Sequence, residues 1–303
     1  MIEEKKKRSE EEKQGFYDSR QLTHTHTHTH TSFSIITVVY NGAAHLQQAI
    51  DSVREQNYPD IEYIVIDGSS TDGTLDIIKK NEDIISYWIS EPDKGIFDAM
   101  NKGIQKSTHQ FIAFLNADDW YEPSVLQTIK KEILSIQDSL ENHVIYCDYY
   151  SFDEELSSHE KAKCTSELKY WKGMTLSHQS MFVHRSVYQR LGFFDLQYRY
   201  ACDYEYLLRM ITARVEFRKV DFYGVNFRQG GASTKNMNRS ISEVSRIVRK
   251  YFGVFSREYV LFLMTNRMPS MIGNVRRLLS KTIGNQRTIK LRRIWHRIKG
   301  RNT

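Results

Sequence analysis

Phe33-Ser34-Ile35-Ile36-Thr37-Val38-Val39-Tyr40-Asn41-Gly42 is the stretch on which the fold turns. Its first eight residues are β-branched and almost continuously apolar, the pattern of a strand buried on both faces of a parallel sheet. Asn41-Gly42 makes a turn, and Leu46, Ala49, Ile50 and Val53 then recur on one helical stripe that ends near Asn57-Tyr58-Pro59. The alternation continues downstream. Ile61 to Ile66 reads as a second strand, Gly73 to Lys80 as a short helix, and Ser86 to Ser90 as a third strand. Ile96 to Gln105 then reads as helix, Phe111 to Leu115 as strand, and Pro123 to Ile136 as a long helix carrying Val125, Ile129, Ile133 and Ile136.

Strands and helices that alternate in this way form βαβ units and an open, doubly wound α/β sheet. Ligands gather at the carboxyl ends of such strands, so the polar residues after each strand are expected to share one cleft. Those residues are Tyr40-Asn41-Gly42, Asp67 to Thr74, Glu91-Pro92-Asp93-Lys94-Gly95 and Asn116-Ala117-Asp118-Asp119.

Composition sets wider bounds. The chain has 303 residues, 40% hydrophobic and 12% aromatic, which excludes disordered and fibrous classes. The three cysteines, Cys147, Cys164 and Cys202, are odd in number and far apart, against a disulfide framework or a cysteine zinc site and in favour of a reducing cytoplasm. The charged N-terminus shows no signal-peptide pattern. The longest apolar run, Tyr259 to Met264, is far below the roughly 18–20 residues that span a bilayer.

The net charge of +6 is local in origin. Residues 270–303 hold ten Lys or Arg and no Asp or Glu, so the chain before them is slightly acidic. Leu291, Ile294, Trp295 and Ile298 share one helical face amid those cations, a pattern over 287–301 that suits an anionic membrane surface or a solvated helix packed on the body. No nucleic-acid module accompanies the charge, and nucleic acid is not an expected partner. Residues 1–31, ending in the Thr23 to Thr31 alternation of Thr and His, read as a disordered leader. The body is expected over 32–235, and a helical, basic extension over 236–303.

Asp118-Asp119 places two adjacent carboxylates at a strand mouth, where a hard divalent ion completed by phosphate oxygens would offset their repulsion. A helix cap is the other reading of such a pair. Asp67 to Thr74 offers a strand-end carboxylate, small hydroxyl residues and a helix start, suited to a nucleotide or to a plain turn capped by Asp72 or Thr71.

Taken in order, Ile35 to Gly42, Ile66 to Thr74, Asp93-Lys94-Gly95-Ile96-Phe97-Asp98-Ala99-Met100-Asn101-Lys102-Gly103 and Leu115 to Asp119 resemble the nucleotide-binding half of GT-A glycosyltransferases of the inverting family 2, the family of bacterial polysaccharide and lipopolysaccharide transferases. The resemblance covers about residues 33–235. It implies a GT-A fold with a Rossmann-like nucleotide half and an acceptor half. It also implies a nucleotide-sugar donor, a UDP-sugar first among them, with Tyr40 and Asp67 at the donor and Asp67 near the base. Lys94 would lie near the diphosphate, Asp118 and Asp119 would serve the ribose and an Mg²⁺ or Mn²⁺ ion, and Asp203, at the start of Cys202-Asp203-Tyr204-Glu205, would be the general base. His178-Gln179 would line the acceptor pocket, Asp195 and Glu205 are lesser substitutes for the base, and Gly230 to Thr234 is a lid or a hinge. The implied acceptor is a glycan or lipid-linked hydroxyl, reached from the cytoplasm or the inner membrane face. Two positions depart from the family pattern: Gly68 stands where many relatives carry a second acidic residue at the base, and Asn116 where the metal motif often begins with Asp. A non-catalytic nucleotide-sugar-binding protein and a nucleotidyltransferase are the alternatives.

Overall fold

The computed structural model describes residues 31–154, 156–164, 174–230 and 236–264. The leader through His30, the candidate lid beyond Gly230 and the basic tail with its 287–301 pattern lie outside the described residues. Within them, a mixed nine-stranded sheet is covered by helices on both faces.

The opening stretch forms β1 (Phe33–Val39), every residue of it buried. The apolar stripe after the turn becomes α1 (Leu46–Arg54), and β2 (Ile61–Asp67), α2 (Thr74–Lys80), β3 (Tyr87–Ser90), α3 (Ile96–Lys106) and β4 (Phe111–Phe114) follow. β2 and β4 flank β1 in parallel, and β3 lies outside β2. The chain therefore winds outward from β1 to β3 and then crosses back to the other side of β1, leaving between β1 and β4 the switch point at which such sheets bind their ligands.

The second half continues the sheet with changes of direction. β5 (Trp120–Tyr121) leads into α4 (Val125–Ser135), and β6 (His143–Asp153) pairs with β7 (Ser158–Ala162). A single 3₁₀ turn, His178–Ser180, enters β8 (Met181–His184), which lies antiparallel between β4 and β6. Then come α5 (Arg185–Leu191), α6 (Cys202–Thr212), β9 (Glu216–Arg228), α7 (Met237–Phe252) and α8 (Arg257–Phe262). β9 runs parallel to β6 and carries β5 at its far edge, giving the order β3-β2-β1-β4-β8-β6-β9-β5.

The two-residue period of the strands sorts the core into two layers. Ile36, Val38, Ile64, Ile66, Ile112 and Phe114 face α3, α5, α6 and α7. Phe33, Ile35, Tyr63, Val65, Phe111 and Ala113 face α1, α2 and α4. Ile247 and Val248 of α7 and Phe262 of α8 belong to the first layer, so α7 and α8 pack into the body. Gly103 is dictated by close approach: a Cβ there would stand 2.4 Å from Ile36 Cγ2, and only a bare backbone lets α3 lie on β1.

Candidate active site

The loops after β1 and β2 are fastened to one another. Asn41 N–H donates to Ser70 Oγ at 2.7 Å, Gly42 N–H to Thr74 Oγ1 at 3.0 Å, Ala43 N–H to Asp72 Oδ2 at 3.0 Å, and Thr71 N–H to Asn41 Oδ1 at 2.9 Å. Asp72 also receives the Thr74 hydroxyl and amide at the start of α2, and the hydroxyl bond holds its carboxyl below the usual carboxylate range. These polar side chains thus build a rigid floor, the turn-and-cap reading of the sequence.

Asp67 belongs to that floor. It is 0% exposed; its Oδ1 accepts the Ser70 hydroxyl at 2.5 Å, and its Oδ2 accepts Ser70 N–H at 3.0 Å and the Ser90 hydroxyl at 2.6 Å. The base contact expected at Asp67 is therefore not open to a ligand, because burial and three donors fix the carboxylate as a tie between β2 and β3. Tyr40 stands at the opposite extreme, 68% exposed just past the end of β1. Beside it Gly68 leaves a gap: a Cβ there would lie 3.4 Å from Tyr40 Cδ2 and 2.5 Å from Asp93 Oδ2. Asp93 keeps its other oxygen on Gly95 N–H at 2.7 Å. The Tyr40 ring and an Asp93 carboxylate oxygen thus lie against the bare backbone of Gly68, and a carboxylate from the next loop stands beside position 68. Lys94 follows on the same loop with its side chain exposed.

The two carboxylates after β4 have different surroundings. Asp118 is half-buried, and its carboxylate makes no hydrogen bond or ion pair among the described residues. Asp119 is 1% exposed, with Oδ1 accepting Arg228 N–H at 2.8 Å and Oδ2 accepting Gln179 Nε2 at 2.8 Å. Burial and the neighbouring Asp118 push the Asp119 carboxyl well above the usual carboxylate range. Sequence reasoning expected Asp119 to be a metal ligand; both its oxygens are engaged by the protein, and it pins β9 and the 3₁₀ turn to the end of β4. Arg228, which the sequence did not single out, holds the Asp118 carbonyl through Nε at 3.1 Å and lies 5.2 and 5.1 Å from the rings of Trp120 and Phe152.

The 3₁₀ turn connects this motif to the start of α6. Gln179 bonds Asp119, and the adjacent His178 places Nδ1 3.5 Å from Asp203 Oδ2 at the first turn of α6. His178 Nε2 is buried with no hydrogen-bond partner among the described residues. The substitutes for Asp203 are engaged elsewhere. Glu205 is 1% exposed and paired with Arg209, with Lys250 at 3.2 Å and with the Tyr251 hydroxyl at 2.7 Å, and Asp195 is held by Gln197. Tyr40, Lys94 and Asp118 thus stand at the ends of parallel strands, and one short turn links the Asp118-Asp119 motif to His178, Gln179 and Asp203.

Residues 34–192 match the family model described as glycosyl transferase family 2. The chain belongs to glycosyl transferase family 2. An uncharacterized glycosyltransferase of Mycobacterium tuberculosis is 31% identical over 204 residues, 63% of this chain and 76% of that protein. A PGL/p-HBAD biosynthesis glycosyltransferase of Mycobacterium bovis is 30% identical over 196 residues, 59% and 70% of the two chains. Among solved structures, the mannosyltransferase PcManGT of Pyrobaculum calidifontis, in complex with GDP-Man and Mn²⁺, aligns with a TM-score of 0.63 at 14% identity, covering 89% of this chain and 81% of that one. TarS of S. aureus in complex with UDP-GlcNAc aligns with a TM-score of 0.55 at 13% identity, covering 73% and 67%. These likenesses establish the GT-A fold expected for the family 2 glycosyltransferase. No group of three or more His, Cys, Asp or Glu side chains suited to a metal occurs among the described residues, and no described helix is long and apolar enough to cross a membrane.

Proposed function

We propose that this glycosyltransferase inverts the anomeric centre of a UDP-sugar as it transfers the sugar to a hydroxyl of a glycan or lipid-linked acceptor in cell-surface polysaccharide synthesis. The observation that carries the reading is the His178–Ser180 turn, which bonds the Asp118-Asp119 motif through Gln179 and meets the Asp203 carboxylate through His178. Donor and base are thereby held in register, the condition under which a displacement becomes effectively unimolecular.

Tyr40 and Asp93 flank the slot for the base, Asp93 taking the part that the resemblance implied for Asp67, and Lys94 brings positive charge to the diphosphate. Asp203 accepts the proton of the acceptor hydroxyl as its oxygen bonds to the anomeric carbon. The bond from that carbon to the diphosphate oxygen breaks on the opposite face, and its electron pair leaves with the nucleotide. The donor set fits a divalent ion through one protein carboxylate, Asp118, with phosphate oxygens completing the shell. Mg²⁺ or Mn²⁺ bound there would supply charge stabilisation at the leaving diphosphate. The basic sequence pattern over 287–301 supports an acceptor met at an anionic membrane surface.

The test is thermal shift and nucleotide release with UDP-GlcNAc and GDP-mannose, with and without Mn²⁺, in wild type and Asp118→Ala. Stabilisation and UDP release that need Mn²⁺ and are lost in Asp118→Ala are expected. A protein that binds neither donor overturns the reading, and binding without release points to a carrier that has lost turnover.

A further inference from the structure

The residues Gly192 to Ala201 deliver Asp203 to the cleft, and side chains from two other elements grip them. Near the start, Asn101 of α3 accepts Phe194 N–H at 2.9 Å and donates Nδ2 to Phe194 O at 3.0 Å. At the end, Glu243 of α7 receives three consecutive main-chain donors. Arg199 N–H reaches Oε1 at 3.0 Å, and Tyr200 and Ala201 N–H reach Oε2 at 2.7 and 3.0 Å. Ala201 is the capping position of α6, has no side chain able to cap, and directly precedes Cys202 and Asp203. Glu243 is 9% exposed, so its charge is largely removed from water and rests on these three bonds and the positive end of the α6 dipole.

α7 is itself fixed in place. Glu205 of α6 receives Lys250 and Tyr251 of α7, while Ile247 and Val248 are fully buried beneath. The two helices exchange carboxylates in both directions, so α7 is held against α6 at two points along its length.

We propose that Glu243 is a positioning residue for the base: it sets the start of α6 and thereby the place of the Asp203 carboxylate, which makes α7, beyond the matched residues 34–192, a working part of the active site. The proposal rests on Asp203 as general base. It does not depend on which sugar is transferred.

Two measurements on full-length protein test it. The first is amide hydrogen exchange at Arg199, Tyr200, Ala201 and Asp203 in wild type, Glu243→Ala and Glu243→Gln. Faster exchange confined to this loop and the first turn of α6 is expected in Glu243→Ala, with an intermediate effect in Glu243→Gln, which retains one acceptor oxygen. Unchanged exchange overturns the proposal. The second is steady-state turnover of whichever of UDP-GlcNAc and GDP-mannose the wild type consumes, below the melting range of each variant. Because a displacement of about 1 Å costs up to about 100-fold, kcat is expected to fall about 10- to 100-fold in Glu243→Ala while the donor Kd stays within about twofold. A lower melting temperature with unchanged kcat is the result of a purely structural role and also overturns the proposal. Asp203→Asn is the control: if it keeps turnover the base assignment fails, and a loop that still loosens in Glu243→Ala separates that failure from this one.

Discussion

Gly68 and Asp93 show how a missing side chain is accommodated where the proposal places the donor base. Asp93 Oδ2 lies 2.5 Å from the place a Cβ on residue 68 would occupy, and Asp93 is a flexible carboxylate on a loop. Gly68→Ala is therefore expected to displace that oxygen and weaken UDP affinity several-fold by calorimetry, while stability in urea changes by less than about 1 kcal/mol. The adjacent carboxylates after β4 are expected to separate in the opposite sense. Asp119→Ala strands Arg228 N–H and Gln179 Nε2 in a buried site, at a cost of about 1–3 kcal/mol for each unsatisfied group. Urea melts of Asp118→Ala are expected to overlay the wild type, since that carboxylate holds no described residue in place. The sequence pointed to Asp118 and Asp119 alike, because adjacency is visible in a sequence and burial is not. The Gly68 departure was visible, whereas its answer at Asp93, on another loop, needed the packing of three strand ends.

Among the elements, the first four strands and the helices α2 and α3 are legible to within a residue, since β1, β2 and β4 are buried runs and α3 carries an apolar stripe; α1 is legible too but ends at Arg54, before the turn at Asn57-Tyr58-Pro59. The helix expected from Pro123 begins two residues later, at Val125, because Ser124 adopts φ 64°. The directions of β6, β8 and β9, the Asn101 grip and the Glu243 cap were not legible, because they join residues far apart in the chain. One such tie offers a pH test. Burial raises the Glu62 pKa, but bonds from the Ser34 hydroxyl, Thr108 N–H and the Thr108 hydroxyl outweigh it, and the net direction is down. A lowered carboxyl contributes stability above its unfolded pKa of about 4.3 and loses it as pH falls through the folded value. The difference in unfolding free energy between wild type and Glu62→Gln is thus expected to be present at pH 7 and to shrink below pH about 4.3, read by urea titration.

Across the whole molecule, the parallel strands β1 to β4 fix the loops proposed for the donor, and the mixed second half brings Asp203 toward them through a single turn. The slightly acidic body carries the site, and the cations of residues 270–303 account for the positive net charge. In the proposed reaction Asp203 takes the acceptor's proton beside the bound donor. Its most direct test compares donor Kd and kcat for UDP release in wild type and Asp203→Asn, with Mn²⁺ present. Unchanged donor affinity and a fall in kcat of about 10²–10⁴, the usual contribution of a general base, are expected. Turnover within a few-fold of wild type in Asp203→Asn would contradict it.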